Sequence, residues 1–252
     1  MHIAIVTLLP EMFAAISEQG VSSRALRSGL VKLDYVNPRD YTEDKHRTVD
    51  DKPFGGGPGM LMKSEPLMAA ITESRRLLND ADTQKNRAHT VYLSPQGARL
   101  NQSKVLELAN KDKLVLVCGR YQGVDARLLE TEIDEEVSLG DFVLSGGELA
   151  AMALVDAMIR FQPGALGDEG SAQQDSFANG LLHCPEYTRP QEIDGVGVPE
   201  VLLSGDHEAI RKWRLKQSLG VTWLKRPDLL ETIELDQEQE GLLKQFIEEH
   251  QK

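Results

Sequence analysis

Short apolar runs alternate with stretches whose apolar residues recur every three or four positions through the first 160 residues. HIAIVTL, residues 2–8, predicts a buried first strand. Pro10 then suits the first turn of a helix that Met12, Phe13 and Ile16 anchor on one face. LVKLDYV, residues 30–36, predicts a second strand, and residues 90–94, 113–119 and 131–137 predict three more. Helical spacing covers residues 65–78, with Leu67, Ile71 and Leu78 on a common face, then residues 101–110 and the strongly apolar residues 147–161. Strands separated by helices imply an α/β fold with a parallel sheet covered on both faces.

The pattern breaks at PGALGDEGSAQQDSF, residues 163–177, which has no periodicity and predicts a flexible linker. Beyond it the spacing is helical: residues 206–220, with Asp206 as the opening cap and Gly220 as the stop, then 228–233 and 237–250. The expected domains are 1–162, a linker at 163–178, and a small helical domain at 179–252.

Composition changes this picture little. The chain has 252 residues, 40% of them hydrophobic, which is globular and not disordered. No apolar run is long enough to span a bilayer. The first residues lack a basic leader, and two cysteines, Cys118 and Cys184, make no disulfide framework, so a cytoplasmic location is expected. The net charge of −12 argues against nucleic acid. The charge is uneven, however. Residues 211–227 hold six Lys or Arg and no acid, while residues 228–249 hold eight acids and one Lys. A local basic face therefore keeps RNA open as a partner.

Candidate chemistry lies in the turns. PFGGGPGM, residues 53–60, has four glycines that permit close backbone approach and positive φ, but neither a phosphate-binding Gly-Lys-Ser nor a position directly after the first strand. An ordinary loop and a ligand loop are equally open there. YLSPQG (92–97), CGRYQGVD (118–125) and SLGDFVLSGGE (138–148) each turn on Gly or Pro at the end of an expected strand. Ligands of open α/β sheets bind outside those carboxyl ends, and exposed backbone groups there can read an adenine edge and ribose hydroxyls. Plain turn chemistry is the bland alternative. Arg160 ends an apolar helix, Asp175 sits in the linker, and Arg211, Arg214, Lys212 and Lys216 fall at helical neighbour spacings with Ile210 and Trp213 facing inward. His183 and Cys184 are two adjacent metal-type ligands, too few for a zinc site.

The long motifs decide more. NPRDYTEDKHRTVDDKPFGGGPGM, YLSPQG, LVCGRYQGVDARLLE, EIDEEVSLGDFVLSGGELAAM, QDSFANGLLHCPEYTRP and VLLSGDHEAIRKWRLKQSLGVTWLKRP together span most of the chain. In them the sequence resembles the TrmD-type tRNA (guanine-N1)-methyltransferases of the SPOUT superfamily. That resemblance implies a SPOUT-type parallel sheet with a deep trefoil knot, followed by a small helical C-terminal domain, and a homodimer whose subunits share each active site. It implies transfer of a methyl group from S-adenosyl-L-methionine to N1 of the guanosine immediately 3′ of the anticodon in tRNA. The cofactor-binding positions it implies are Tyr92, Leu93, Pro95, Gly119, Tyr121, Gln122, Leu139, Gly140, Asp141, Phe142, Val143, Leu144, Gly146 and Gly147. Asp175 falls on the general base and Arg160 on the catalytic arginine. Arg47, Gly59, Ser171, Arg211, Arg214 and Lys216 are the expected tRNA contacts. Mg²⁺ is implied for the family, but no acidic cluster in the sequence gives it a position. The chain departs from the family pattern at Gln122, where Glu is usual, at Ala150 in place of Pro, and at His183 in place of Asp. Two other classes stay in view. A non-catalytic RNA-binding protein would lack Asp175 or Arg160, and an enzyme acting on ribosomal RNA would lack the tRNA-type C-terminal region; this chain has all three.

Overall fold

A computed structural model of the chain describes residues 1–78, 87–167 and 170–251, apart from the side chains of Ser171 and Gln173. The chain divides into two compact units, residues 1–167 and 168–252.

Five strands form the sheet of the first unit: β1 (His2–Val6), β2 (Lys32–Val36), β3 (His89–Arg99), β4 (Lys113–Cys118) and β5 (Glu135–Ser138). Their order is β2-β1-β4-β3-β5, and every pairing is parallel. Strand periodicity divides the core into two layers. Ile3, Ile5, Leu114, Leu116 and Cys118 face one side with Phe13, Leu154, Val155 and Met158. Ala4, Val6, Val115 and Val117 face the other with Leu67, Ala70 and Ile71. After a short helical turn at Ala14–Ser17, the longer helices are α1 (Gly20–Arg27), α2 (Ser64–Leu77), α3 (Gln102–Ala109), α4 (Ala126–Glu132) and α5 (Glu148–Ile159).

Three differences from the sequence reading have local causes. The expected strand at 131–137 begins later, because Asp125 accepts from the Arg127 N–H and caps α4, which takes Thr131 and Glu132. β3 runs on to Arg99 instead of ending at Ser94; its register against β5 jumps between Leu93 and Ala98, and the four residues between bulge out. Gly97 permits this, since a Cβ there would stand 2.3 Å from the Glu136 carbonyl carbon. α1 is not among the helices expected from apolar spacing. It buries Ser22, Ser23 and Ala25, and Ser22 donates to Asp156 on α5.

In the second unit, α6 (His207–Lys225) packs on α7 (Gln237–His250). Asp206 caps α6 by accepting from the Glu208 and Ala209 N–H groups. The helix passes through Gly220, the expected stop. A Cβ at Gly220 would stand 2.3 Å from the Phe246 ring, so this glycine serves close helix packing. A short helix, Gly170–Gln174, lies in the segment expected to be unstructured. Residues 168 and 169 of that expected linker lie outside the described residues. No helix among the described residues is long and apolar enough to cross a membrane.

Candidate functional site

β3, β4 and β5 are neighbours in the sheet, so the loops at their carboxyl ends converge. Glycines set how closely. Gly147 donates its N–H to the Gly119 carbonyl at 2.9 Å. A Cβ on Gly147 would stand 2.8 Å from Cys118 Cα, and one on Gly119 would stand 2.4 Å from the Tyr92 hydroxyl. Tyr121 takes a positive φ of 60°, uncommon for a side-chain-bearing residue and typical of functional turns. The Gly-rich loop joins the same cluster at its end: Gln122 donates to the Met60 carbonyl at 3.0 Å, and Met62 donates to the Gly123 carbonyl at 2.9 Å.

Between the three loops lies a cavity of about 510 Å³, a size that suits a small organic ligand. Its lining includes Tyr92, Leu93 and Pro95; Gly119, Tyr121 and Gln122; and Leu139, Gly140, Phe142, Val143, Leu144, Gly146 and Gly147. Asp141 differs from the rest of the expected cofactor set. It is exposed, pairs with Arg99, and is not part of the lining. Burial, with the Glu136 carboxylate and Cys118 nearby, pushes the Tyr92 hydroxyl up to about 12, so it remains a neutral group at physiological pH.

Beneath the third loop is an ion pair that the sequence reading missed. Glu148, in the first turn of α5, is fully buried. Its carboxylate lies 2.9 Å from the Arg120 guanidinium and accepts from the Thr7 hydroxyl at 2.9 Å. Arg120 also donates to the Ser145 carbonyl at 3.3 Å, tying the second pocket loop to the third. Sequence held one signal: an Arg beside a strand-end glycine and a Glu opening an otherwise apolar helix both need a partner.

The sequence profile described as tRNA (guanine-1)-methyltransferase TrmD matches residues 1–232. The chain belongs to that family. A tRNA (guanine-N(1)-)-methyltransferase of Photobacterium profundum is 56% identical over 250 residues, covering 99% of this chain and 98% of the relative. The proteins of the same name from Cronobacter sakazakii and Histophilus somni are each 57% identical over 250 residues, covering 99% of this chain and 95% and 100% of the relatives.

Within the first unit, Arg160 is the residue that closes α5, and it is not part of the cavity lining. Asp175 belongs to the second unit, directly after the Gly170–Gln174 turn. Of the departures from the family pattern, Gln122 and Ala150 line the cavity, and His183 neighbours the Asp175 segment.

The expected tRNA contacts are spread over both units. Arg47 has a positive φ of 53°, pairs with Asp40 and donates to the Arg39 carbonyl at 3.1 Å, so it also shapes its own loop. Gly59 has φ +86°, and a Cβ there would press on the Gln122 side chain at 2.5 Å. The Ser171 side chain lies outside the described residues. α6 is less bare than its sequence. Glu238 and Glu249 of α7 return to it, pairing with Arg211 at 2.7 Å and with Lys216 at 2.8 Å, while Arg214 is exposed. The acid-free run at 211–227 is thus partly neutralised in space by acids that sequence distance hid.

Among the described residues, one set of three metal-type donors comes together: His183, Cys184 and Glu186, with donor atoms within 4.8 Å of one another. Nitrogen and sulfur do not suit Mg²⁺, which demands an octahedron of oxygens. These groups contact each other instead, His183 Nε2 with Glu186 Oε1 at 3.0 Å.

Proposed function

We propose that this chain transfers a methyl group from S-adenosyl-L-methionine to N1 of the guanosine immediately 3′ of the anticodon. The observation that carries the reading is the cavity built where three adjacent parallel strands end. Its walls combine exposed backbone with apolar and aromatic side chains, among them Leu93, Leu139, Leu144, Tyr92 and Phe142, which suits an adenine ring and a ribose, and glycines at 119, 146 and 147 let the loops pack closer than a Cβ would allow. When bound there, S-adenosylmethionine supplies an electrophilic methyl group on sulfonium sulfur.

Guanine N1 carries a proton at neutral pH, so its lone pair cannot attack until that proton leaves. In this reading the Asp175 carboxylate takes the proton, negative charge moves toward O6, and the Arg160 guanidinium stabilises it there. The base leaves its stack to reach the cavity. The three strand-end loops thread a trefoil knot, and two chains form a dimer in which the Asp175 of one serves the cavity of the other. Exposed apolar residues at the cavity, Phe142 and Val143, with Leu149 on α5, support a covering chain. The division of labour is a methyltransferase domain at 1–162, a connecting segment at 163–178 that carries Asp175, and a tRNA-binding domain at 179–252. The reaction needs no membrane and takes place in the cytoplasm. Among the described residues, the clustered donor set of His183, Cys184 and Glu186 does not fit Mg²⁺, and no step runs through it.

The test is a pair of tRNA transcripts that differ at one nucleotide. The transcript with guanosine 3′ of the anticodon takes up labelled methyl; the one with adenosine there takes up none. Equal labelling of both would remove the reading.

Two further results are expected. Gly147→Ala drives a Cβ into backbone from the neighbouring loop, where nothing flexible can yield. Overpacking of this kind costs about 1–3 kcal/mol, so cofactor affinity by calorimetry falls by about 5- to 150-fold. Unchanged affinity would mean that the cofactor binds elsewhere.

The second concerns tRNA. We assign Arg211, Arg214 and Lys216 of α6 to phosphate contacts, with Arg47, Gly59 and Ser171 nearer the anticodon. The Glu249 pairing of Lys216 does not forbid this, because an ion pair with an exposed carboxylate is worth about 0–1 kcal/mol and a phosphate can replace it. The double variant Arg214→Ala, Lys216→Ala should weaken tRNA binding and flatten its log–log salt dependence by about 1.5–2 units, leaving cofactor binding intact. A salt slope equal to that of the unaltered protein would show that both side chains meet only solvent and protein.

A further inference from the structure

His183 is tied to both neighbours of Asp175. Its Nδ1 lies 2.7 Å from the Gln174 carbonyl, and its backbone N–H donates to the Ser176 hydroxyl at 2.9 Å. The carbonyl oxygen can only accept, so Nδ1 carries the proton in that bond. On the far side of the ring, Nε2 faces Glu186 Oε1 at 3.0 Å, which fixes the ring plane. The segment is anchored in turn to α6: Leu182 donates to the Thr222 hydroxyl at 2.9 Å, and Thr222 is fully buried. Phe177 donates to the Leu181 carbonyl at 2.7 Å and closes the loop between the two ties. The chain from 174 to 183 is therefore a loop cinched at its ends, with Asp175 just inside the cinch.

We propose that His183 is a positioning residue for the reaction: its Nδ1–H bond to the Gln174 carbonyl sets the backbone from which the Asp175 carboxylate projects. The inference rests on the reading of Asp175 as the base. A displacement of about 1 Å at a reacting group can cost 10²-fold in rate. The contacts of His183 act through the backbone on either side of Asp175, so its loss slows the proton-transfer step and leaves both binding steps alone. Ring chemistry separates this from a general structural role. Asn places an amide N–H where Nδ1–H was; Gln places one where Nε2 was, toward Glu186.

The experiment uses the full chain, labelled S-adenosylmethionine and unmodified tRNA under single-turnover conditions. His183→Ala and His183→Gln should slow methyl transfer by about 10-fold with unchanged dissociation constants for cofactor and tRNA, and His183→Asn should restore the rate to within about 2-fold. Ser176→Ala, which removes the second tie and leaves the ring in place, should slow transfer by a smaller factor, and more severely when combined with His183→Ala. A wild-type rate in His183→Ala, an Asn variant as slow as Ala, or an effect confined to tRNA affinity would overturn the proposal. Asp175→Asn, measured alongside, separates the two claims. If it retains full rate, the base assignment falls and the positioning role with it. If it collapses while His183→Ala does not slow, the positioning role alone is wrong.

Discussion

Asp175→Ala should lose about 10²–10⁴-fold in single-turnover methyl transfer, the range set by removing a general base, while its affinity for S-adenosylmethionine stays within about 2-fold of the unaltered chain. The separation follows from where the residue sits. The cavity is built by loops 94–97, 119–123 and 139–147 of the first unit, and Asp175 belongs to the second. A variant defective in the base therefore still binds the methyl donor. The proton on guanine N1 has no other acceptor in this reading, and water is a poor one at neutral pH. Arg160→Ala should show the same pattern with a loss of about 10²–10³-fold, because in this reading it withdraws the cation that stabilises charge on O6. If subunits share sites, chains carrying Asp175→Ala mixed with chains carrying Gly147→Ala should regain part of the activity. Near wild-type turnover in Asp175→Ala would remove the residue from the mechanism.

The largest effect on stability should come from Arg120→Leu. Glu148 is fully buried, and Arg120 is its cationic partner at 2.9 Å, with the Thr7 hydroxyl as a further contact. Breaking a buried pair by removing one member costs about 3–5 kcal/mol, because an uncompensated charge stays behind. Position at the start of α5 offsets a little of this, since the helix dipole favours an anion there. The melting temperature should fall by about 6–20 °C. Removing both charges, with Arg120→Leu and Glu148→Leu together, should recover most of the loss, because buried pairs rarely outdo apolar side chains of similar volume. Cofactor affinity should fall in both the single and the double variant, since the Arg120 tie to the Ser145 carbonyl is missing in each. A single variant that melts with the unaltered chain would mean that the pair contributes nothing.

What sequence could and could not show follows from the range of each interaction. β1 was legible because its partners on both faces are apolar and its alternation needs no knowledge of them. The Asp206 cap was legible because a cap acts within three residues. Gly220 was misread for the opposite reason: the Phe246 ring that it accommodates is 26 positions away and on another helix. The Arg211 and Lys216 pairings with Glu238 and Glu249 were hidden by the same distance, though charge counts had already placed the acids downstream. α1 was missed because serines fill its buried face and Asp156 satisfies one of them. The cavity was legible as three strand-end turns, yet their convergence depends on β3, β4 and β5 being adjacent, which spacing alone does not set. Asp141 is exposed and pairs with Arg99 on the extended part of β3, a partner that lies 42 positions away in sequence.

The most direct measurement is the identity of the methylated nucleoside. Unmodified tRNA is incubated with S-adenosylmethionine and the full chain, digested, and analysed by chromatography and mass spectrometry. The expected product is 1-methylguanosine, located immediately 3′ of the anticodon and formed about 10²–10⁴-fold more slowly with Asp175→Ala. An N7-methyl or 2′-O-methyl product, or no methylated nucleoside, would contradict it.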